Sequence, residues 1–111
     1  MFAVLYQSYL KPGREAEYKQ AWHKIACYFR EHRGAIGSCL HQTKDGLWIA
    51  YSRWPDKATR DASWPDNKMP SQELPKEIRK AIFVLIECLD QNHKFPELCM
   101  EVVDDLLFKT N

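Results

Sequence analysis

The stretch LWIAYSRWPDKATRDASW, residues 47–64, contains three of the four tryptophans of this 111-residue chain together with a tyrosine: Trp48, Trp54, Trp64 and Tyr51. Its first half is rich in residues that favour a β-strand, and Pro55 and Asp56 then mark the start of a short helix. Asp56 is suited to accept a hydrogen bond from a backbone N–H of the first helical turn. An aromatic strand that leads into a helix ending at an indole predicts a place where a flat small molecule could bind.

A β-hairpin is predicted just before this helix, because Asp45 and Gly46 separate two strand-like runs at 36–44 and 47–54. Asp-Gly between such runs favours a two-residue type I′ turn. In that register three cross-strand pairs lie on the same face as Trp54. They are Thr43 with Trp48, His41 with Ala50, and Cys39 with Ser52. The opposite face carries Leu40, Gln42, Ile49, Tyr51 and Arg53. Trp48 and Tyr51 then project from opposite faces, so at most one of them is expected to line a given pocket.

The remaining elements are predicted from hydrophobic periodicity. Residues 2–10 predict a first strand, and residues 14–33 have apolar positions at helical spacing, which predicts an amphipathic helix ending at Gly34. An extra helical segment is predicted at about 65–94, with its helix running from Glu73 or Pro75 to Gln91. Residues 95–107 are expected to contain the last strand.

Length and composition predict a single domain, residues 1–111. The formal net charge of +1 comes from interspersed acidic and basic residues, so no basic stripe for nucleic acid is expected. No apolar run is long enough to span a membrane, and no signal peptide is expected. The four cysteines are scattered without paired spacing, which favours free thiols and a cytoplasmic location.

The order of strand, long helix, hairpin, short helix, extra helix and strand predicts an α+β fold. It is a ferredoxin-like four-stranded antiparallel sheet with helices on one face. The strands are apolar on both sides, and a large exposed apolar sheet usually marks an interface. The simplest cover is a second copy of the same sheet, so we expect a homodimer that associates through the sheet face as a dimeric α/β barrel.

Several local features occur together in residues 2–64: the first-strand exit LKPGR at 10–14, Tyr18 and Trp22 in the long helix, Gly37 at the start of the second strand, the third-strand exit YSRWPD at 51–56, and Trp64. In these features the chain resembles the antibiotic biosynthesis monooxygenase family, whose members are dimeric α/β barrels. The last strand fits by position only, and residues 65–75 together with the extra helix are longer than the family's usual connection.

The resemblance implies a cofactor-independent oxidation of a phenolic or quinol substrate in a pocket between sheet and helices. Trp64 matches the family's tryptophan that lines this pocket. Other members degrade haem with an asparagine on the first strand and a histidine after the tryptophan. Here Tyr6 occupies roughly the asparagine position, and the next histidine after Trp64, His93, is too far along the chain. Haem is therefore disfavoured, and no cofactor is expected.

Each candidate site residue has a structural alternative. Trp64, Tyr6, Tyr51 and Trp48 are the candidate substrate-binding residues, but each could instead pack in the core or in the dimer interface. His41 is the candidate catalytic base, because burial beside apolar residues could tune its pKa; the alternative is a hydrogen-bonded histidine in the sheet. A zinc site from His23, Cys27, Cys39 and His41 is disfavoured, because the helix pair is expected to point away from the strand pair.

Two functions of different classes remain open from the sequence. The first is a cofactor-independent monooxygenase that acts on a small aromatic or quinol or polyketide-like compound. The second is a non-catalytic dimeric module that binds a small apolar molecule or serves assembly. An enclosed pocket with at least one titratable group would favour the enzyme, whereas a solidly packed sheet–helix interface would favour the module.

Overall fold

The computed structural model describes residues 1–63 and 74–107 of the chain. The elements in chain order are β1 (Phe2–Ser8), α1 (Glu15–His32), β2 (Gly37–Gln42), β3 (Trp48–Trp54), α2 (Lys57–Ser63), α3 (Lys76–Cys88) and β4 (Leu98–Glu101). The strands pair in the order β2-β3-β1-β4, and every pairing is antiparallel. This order confirms the predicted ferredoxin-like α+β fold, in which an open sheet carries its helices on one face. None of the helices in these two ranges is both long enough and apolar enough to cross a lipid bilayer.

Helix α1 follows the predicted amphipathic pattern closely. Glu15 and Glu17 lie in its first turn and Arg30 in its last, so these charges complement the helix dipole. The chain leaves the helix through Gly34, whose φ of +82° is a left-handed conformation that glycine adopts without strain. The helix buries Tyr18, Ala21 and Phe29. His32 is exposed at the helix end.

The predicted hairpin register is wrong by one residue. The backbone N–H of Thr43 donates to the carbonyl of Leu47 (2.8 Å) and the N–H of Gly46 donates to the carbonyl of Thr43 (3.1 Å), so the loop has three residues, 44–46. The Thr43 hydroxyl also accepts a hydrogen bond from the N–H of Leu47 at 3.1 Å, which favours this longer turn. Three-residue loops of this kind end in a left-handed residue, and Gly46 has a φ of +88°.

The register shift exchanges the two faces of β2. Gln42 lies opposite Trp48 and Leu40 opposite Ala50, while His41 lies opposite Ile49 and Cys39 opposite Tyr51. Because side chains alternate along a strand, moving the register by one residue moves every side chain of β2 to the other face. Leu40 therefore packs beneath the helices, and His41 and Cys39 lie on the open face.

The helices after the hairpin begin close to their predicted positions. The Asp56 side chain accepts a hydrogen bond from the N–H of Thr59 (2.7 Å), as expected for a helix cap. Helix α3 begins at Lys76, directly after Pro75, and ends at Cys88, three residues before the predicted end. The chain leaves α3 there because Leu89 is extended and the N–H of Asp90 donates to the carbonyl of Tyr9 (2.8 Å). Residues 65–73 of the predicted extra segment lie outside the described residues.

The core fills the space between the sheet and the helices in two clusters. The larger cluster joins the sheet to α1 and α3: Phe2, Val4, Phe29, Ala35, Trp54, Leu74, Ile78 and Ile82. The smaller cluster consists of Tyr18, Trp48 and Cys88, with partly buried neighbours around it. Val4 and Cys88 have no exposed surface, so they mark the centres of the two clusters.

The open face of the sheet is partly covered by the chain's own C-terminal segment. The Arg53 guanidinium on this face forms an ion pair with Asp105 and donates a hydrogen bond to the Tyr51 hydroxyl (2.9 Å). The N–H of Val102 donates to the carbonyl of Met1 at 2.9 Å, which holds the start of the segment along β1. Arg53 is buried as a result, whereas Leu98 on β4 remains exposed.

Replacing a core isoleucine should destabilise the protein far more than replacing an exposed one. Ile78 is 4% exposed and Ile36 is 43% exposed. Ile78→Ala removes buried methyl groups and leaves a cavity, so we expect the free energy of unfolding to fall by about 2–5 kcal/mol. Ile36→Ala is the matched control and should change it by less than about 1 kcal/mol. Urea unfolding measures both, and equal losses would contradict the core assigned here.

Candidate functional site

A cavity of about 340 Å³ lies between the sheet and the helices. Strands β1 and β3 form its floor, with Tyr6, Ser8, Ala50 and Ser52 on the helix-facing side. The walls are mainly apolar and aromatic and come from α1, α3, the end of β3 and the loops: Tyr18, Trp22, Ile25, Ala26, Phe29, Ala35, Trp54, Ile82, Leu85, Ile86, Leu89 and Phe95. A concave apolar site with a few polar groups is the usual form of a small-molecule pocket.

The charged groups that line this cavity are Arg60 from α2 and Glu97 just before β4. The Nη2 atom of Arg60 donates to the Tyr6 hydroxyl at 3.1 Å and to Oε2 of Glu97 at 2.8 Å. Together these three side chains, Tyr6, Arg60 and Glu97, form what we call the polar cluster. They come from three different elements, so the fold is required to assemble them.

Arg60 is held as a buried cation. It is 3% exposed, and its Nε atom is buried without a hydrogen-bond partner in the described part of the chain. Leaving such a donor unpaired costs about 1–3 kcal/mol. Burial opposes the charge of the guanidinium, but the hydrogen bonds and charges of Tyr6 and Glu97 outweigh that effect, so the pKa of Arg60 is raised. Arg60 therefore stays charged at every accessible pH.

Tyr6 is a neutral hydrogen-bond donor within the cluster. Burial raises the pKa of Tyr6, and the neighbouring Arg60 only partly opposes that effect. The Tyr6 oxygen accepts a hydrogen bond from Arg60, so its own O–H is free to donate elsewhere. No side chain or backbone acceptor for this hydrogen is present among residues 1–63 and 74–107. A ligand oxygen in the cavity could accept it.

Glu97 lies closer to solvent than Arg60. Its side chain is 23% exposed, against 4% for the Arg60 side chain, so the carboxylate is at the edge of the buried site. The Cys99 thiol on β4 donates to Oε1 of Glu97 at 3.7 Å. Burial, and then the charge of Glu97, raise the pKa of the Cys99 thiol, so it stays protonated at neutral pH. The polar cluster thus connects the cavity floor to its edge.

Known proteins resemble this chain in structure, whereas sequence comparisons find no match. No protein-family model matches it, and no curated protein matches it. SnoaB, a cofactor-independent oxygenase from Streptomyces nogalater, superposes with a TM-score of 0.68 and 11% identity over 96% of this chain and 98% of that one. An antibiotic biosynthesis monooxygenase superposes with a TM-score of 0.69 and 15% identity over 94% of this chain and 100% of that one.

The chain has the fold of the antibiotic biosynthesis monooxygenases. A third similar structure, Rv0793 from Mycobacterium tuberculosis, gives a TM-score of 0.67 with 12% identity over 95% of this chain and 97% of that one. The resemblance seen in residues 2–64 is thereby confirmed for the fold, and it extends over most of the chain. At these identities the similarity shows the fold alone, and the chemistry depends on the residues of this chain.

The predicted substrate-binding residues fall in different places. Tyr6 lines the cavity and belongs to the polar cluster. Tyr51 contributes to the cavity wall from β3, but its hydroxyl bonds Arg53 on the open face. Trp48 projects to the helix-facing side and packs edge-on against Tyr18, with ring centroids 5.5 Å apart, and it is not among the cavity-lining residues. Trp64 lies outside the described residues.

His41, the predicted general base, is exposed on the open face. Its Nε2 lies 3.5 Å from the Cys39 sulfur and its Nδ1 lies 3.3 Å from the carbonyl oxygen of Ile49. The predicted register put His41 on the same face as Trp54; the three-residue turn places it on the other face. Its role as a base remains a prediction, and it does not line the cavity.

Two residues of the polar cluster, Arg60 and Glu97, were missed by sequence reasoning. Arg60 and Ser63 are three residues apart and share the buried side of α2, but a seven-residue helix gives too little periodicity to show it. Glu97 precedes Cys99 by two residues and contacts it, as expected of side chains on the same side of an extended chain, and this spacing could have indicated the direction of Glu97. In the described ranges no three His, Cys, Asp or Glu side chains come together as metal ligands.

The buried tyrosine Tyr18 in the cavity wall should make the protein sensitive to alkali. Burial raises the pKa of Tyr18 from 10.0 to about 12, so the unfolded chain loses this proton at lower pH than the folded chain. The contribution of Tyr18 to the free energy of unfolding is therefore fully present below about pH 10. It is lost as pH rises towards 12, which lowers that free energy by roughly 2–3 kcal/mol.

Tyr18→Phe should remove that part of the loss of unfolding free energy between about pH 10 and pH 12. Tyr28→Phe is the control, because Tyr28 is only half-buried on the same helix. Urea titrations at several alkaline pH values measure the difference. The same pH slope in wild type and Tyr18→Phe would show that Tyr18 ionises as readily when folded.

Proposed function

We propose that the protein is a cofactor-independent monooxygenase that acts on a small aromatic, quinol or polyketide-like compound in the cavity between sheet and helices. The observation that carries the proposal is an apolar, aromatic-lined cavity with one polar cluster, Tyr6, Arg60 and Glu97, at one side. The fold supports it, since SnoaB, an oxygenase of this kind, has the same architecture.

The chemistry asks little of the protein beyond binding and electrostatics. An ionised phenol or quinol is electron-rich and can itself pass electrons to molecular oxygen, so no metal or flavin is needed in this proposal. The protein must hold the ring, favour loss of the hydroxyl proton and keep water away from the reactive intermediate. Aromatic walls such as Trp22, Phe29 and Trp54 suit the ring, and the polar cluster suits its oxygen.

The size of the cavity limits the substrate. Ligand pockets span about 300–1,000 Å³, so a space of about 340 Å³ suits a compound at the small end of that range. Trp64 is proposed as an additional stacking residue on the strength of the family resemblance and its position one residue after Ser63, which ends α2.

Filling the cavity should abolish oxidation without unfolding the protein. Ala26 on α1 lines the cavity, whereas Ala16 on the same helix is exposed. With a panel of quinols and phenols, we expect Ala26→Phe to lower kcat/KM for oxygen uptake by at least about tenfold, because the ring occupies substrate space. Ala16→Phe should retain the wild-type rate.

The same panel decides between the enzyme and the non-catalytic module. Binding of a phenol to wild type, weakened in Ala26→Phe, with no oxygen uptake for any compound, would replace the oxygenase by a small-molecule-binding protein. Equal oxygen uptake by wild type and Ala26→Phe would place the reaction outside this cavity and would also reject the proposal.

We propose that two copies associate through the open face of the sheet. Leu5 and Ile49 are only half-buried on this face and Leu98 is 44% exposed. The C-terminal segment that Asp105 anchors there adds Val103 (95% exposed), Leu106 and Leu107. Apolar area of this extent is rare on a free surface, and an isologous contact would cover both copies at once.

Sedimentation should give a mass near two chains at micromolar concentration. Leu98→Asp should raise the dimer dissociation constant by at least about tenfold, because it brings a charge into the apolar contact. Phe83→Asp is the control, since Phe83 is similarly exposed, at 49%, but lies on α3 above the other side of the sheet. A single-chain mass for wild type, or equal effects of the two substitutions, would contradict association through this face.

A cytoplasmic location is proposed on the basis of the cysteines. All four, Cys27, Cys39, Cys88 and Cys99, are unpaired in the fold. Free thiols of this kind persist in reducing compartments.

A further inference from the structure

We propose that Tyr6 and Arg60 bind the ionised oxygen of a ligand that carries an acidic hydroxyl group, such as a phenol, a hydroxyquinone or an enolised diketone, and that Glu97 accepts the proton which this hydroxyl loses. The inference deepens the proposed function by naming the substrate class, and it rests on the cavity being the substrate site. Binding alone tests it, because ionisation of the ligand precedes any oxidation.

Tyr6 supplies a donor that is directed and already polarised. Its oxygen accepts a hydrogen bond from Nη2 of Arg60 at 3.1 Å, so the Tyr6 O–H is available to a ligand and is polarised by the cation behind it. The ring of Tyr6 stands on the cavity floor within the central strand β1. A fixed donor in a site of low polarity stabilises a negative oxygen far better than the same donor does in water.

The charge balance of the cluster allows a neutral ligand to ionise there. Before binding, the positive charge of Arg60 has two carboxylate partners, Glu97 at 2.8 Å and, more weakly, Asp61 at 3.5 Å. When the ligand's O–H bond breaks and the proton forms an O–H bond on Glu97, the ligand becomes the anion and Glu97 becomes neutral. The total charge in the site is unchanged, so no uncompensated charge is buried.

The other titratable groups around the cluster keep one protonation state near neutral pH. On α2, Lys57 and then Arg60 lower the pKa of Asp61, which stays ionised. On β4 and α1, burial raises the pKa values of Cys99 and Tyr18, which stay protonated. Helix α3 contributes only apolar side chains to the cavity. Glu97 is therefore the carboxylate available to take the proton, and its partly exposed position allows it to lose that proton after the product leaves.

The probe is 4-nitrophenol, which absorbs visible light as the phenolate and not as the phenol. At a pH below its own pKa, we expect wild-type protein to raise the phenolate-to-phenol ratio of the bound probe by at least about tenfold over the free probe. We expect 4-nitroanisole, which has no acidic hydroxyl, to bind at least about tenfold more weakly. A bound probe that remains the neutral phenol, or equal affinity for the two compounds, would overturn the proposal.

Substitution of the proton acceptor gives a second, independent measurement. In wild type the proton stays in the complex, so affinity for 4-nitrophenol should change little with pH below the probe's pKa. In Glu97→Gln the proton must go to water, so affinity should fall about tenfold for each unit that pH is lowered. Glu101→Gln, an exposed neighbour on β4, should behave like wild type. Identical pH slopes for wild type and Glu97→Gln would overturn the role of Glu97.

Tyr6→Phe should reduce the phenolate-to-phenol ratio of the bound probe about tenfold, and the control Tyr9→Phe should not. This set of measurements also separates the inference from the proposed function. Ionised probe in the wild-type cavity without oxygen uptake for any phenol would retain the inference and remove the oxygenase. Oxygen uptake by a protein that binds the probe as the neutral phenol would retain the oxygenase and overturn the inference.

Discussion

The alternation of side chains along β1 is the constraint on which the rest of the structure depends. This strand lies between β3 and β4, and its even-numbered residues all point to the helices. Val4 has no exposed surface at the centre of the core, and two residues further Tyr6 reaches the cavity. One strand therefore supplies both the packed centre and the polar floor of the site. Because the period of a strand is two, neither role can move without the other.

The polar cluster connects the second half of the chain to the cavity floor by hydrogen bonds and an ion pair. Arg60 comes from α2 and contacts Tyr6 on β1, and Glu97, from the segment before β4, contacts Arg60. A buried guanidinium is unfavourable unless it is paired, so the cluster fixes α2 over the sheet at one position. The Ser63 hydroxyl, which donates to the carbonyl of Arg33 (3.1 Å), fixes the other end of α2 against the exit of α1. These polar contacts lie at the edge of the cavity, and the apolar faces of α1 and α3 cover the rest of it.

Sequence patterns predicted the helices and strands well. They predicted less well which side chains of a strand or helix face the core. The long helix, the Asp56 cap and the strand order depend on local signals and on chain connectivity, and these were readable. The hairpin register was not, because Asp-Gly is compatible with two loop lengths and the Thr43 hydroxyl favours the longer one. That single residue moved His41 from the helix-facing side to the open face. Arg60 could not be found because nothing in a short, charged helix shows which charge is buried.

Tyr6 gives the site a hydrogen-bonding capacity different from the one that the resemblance implies for haem-degrading members. Those members carry an asparagine at roughly this position, and an amide both donates and accepts hydrogen bonds. A tyrosine whose oxygen is already occupied by Arg60 can only donate to a ligand, and its burial keeps it protonated. If Tyr6 binds a ligand as proposed, the cation behind this donor favours a ligand with a negative oxygen over one without an acceptor. A tyrosine in place of an asparagine on β1 changes the chemistry of the site because Arg60 and Glu97 lie beside it. The same tyrosine without them would be an ordinary packing residue.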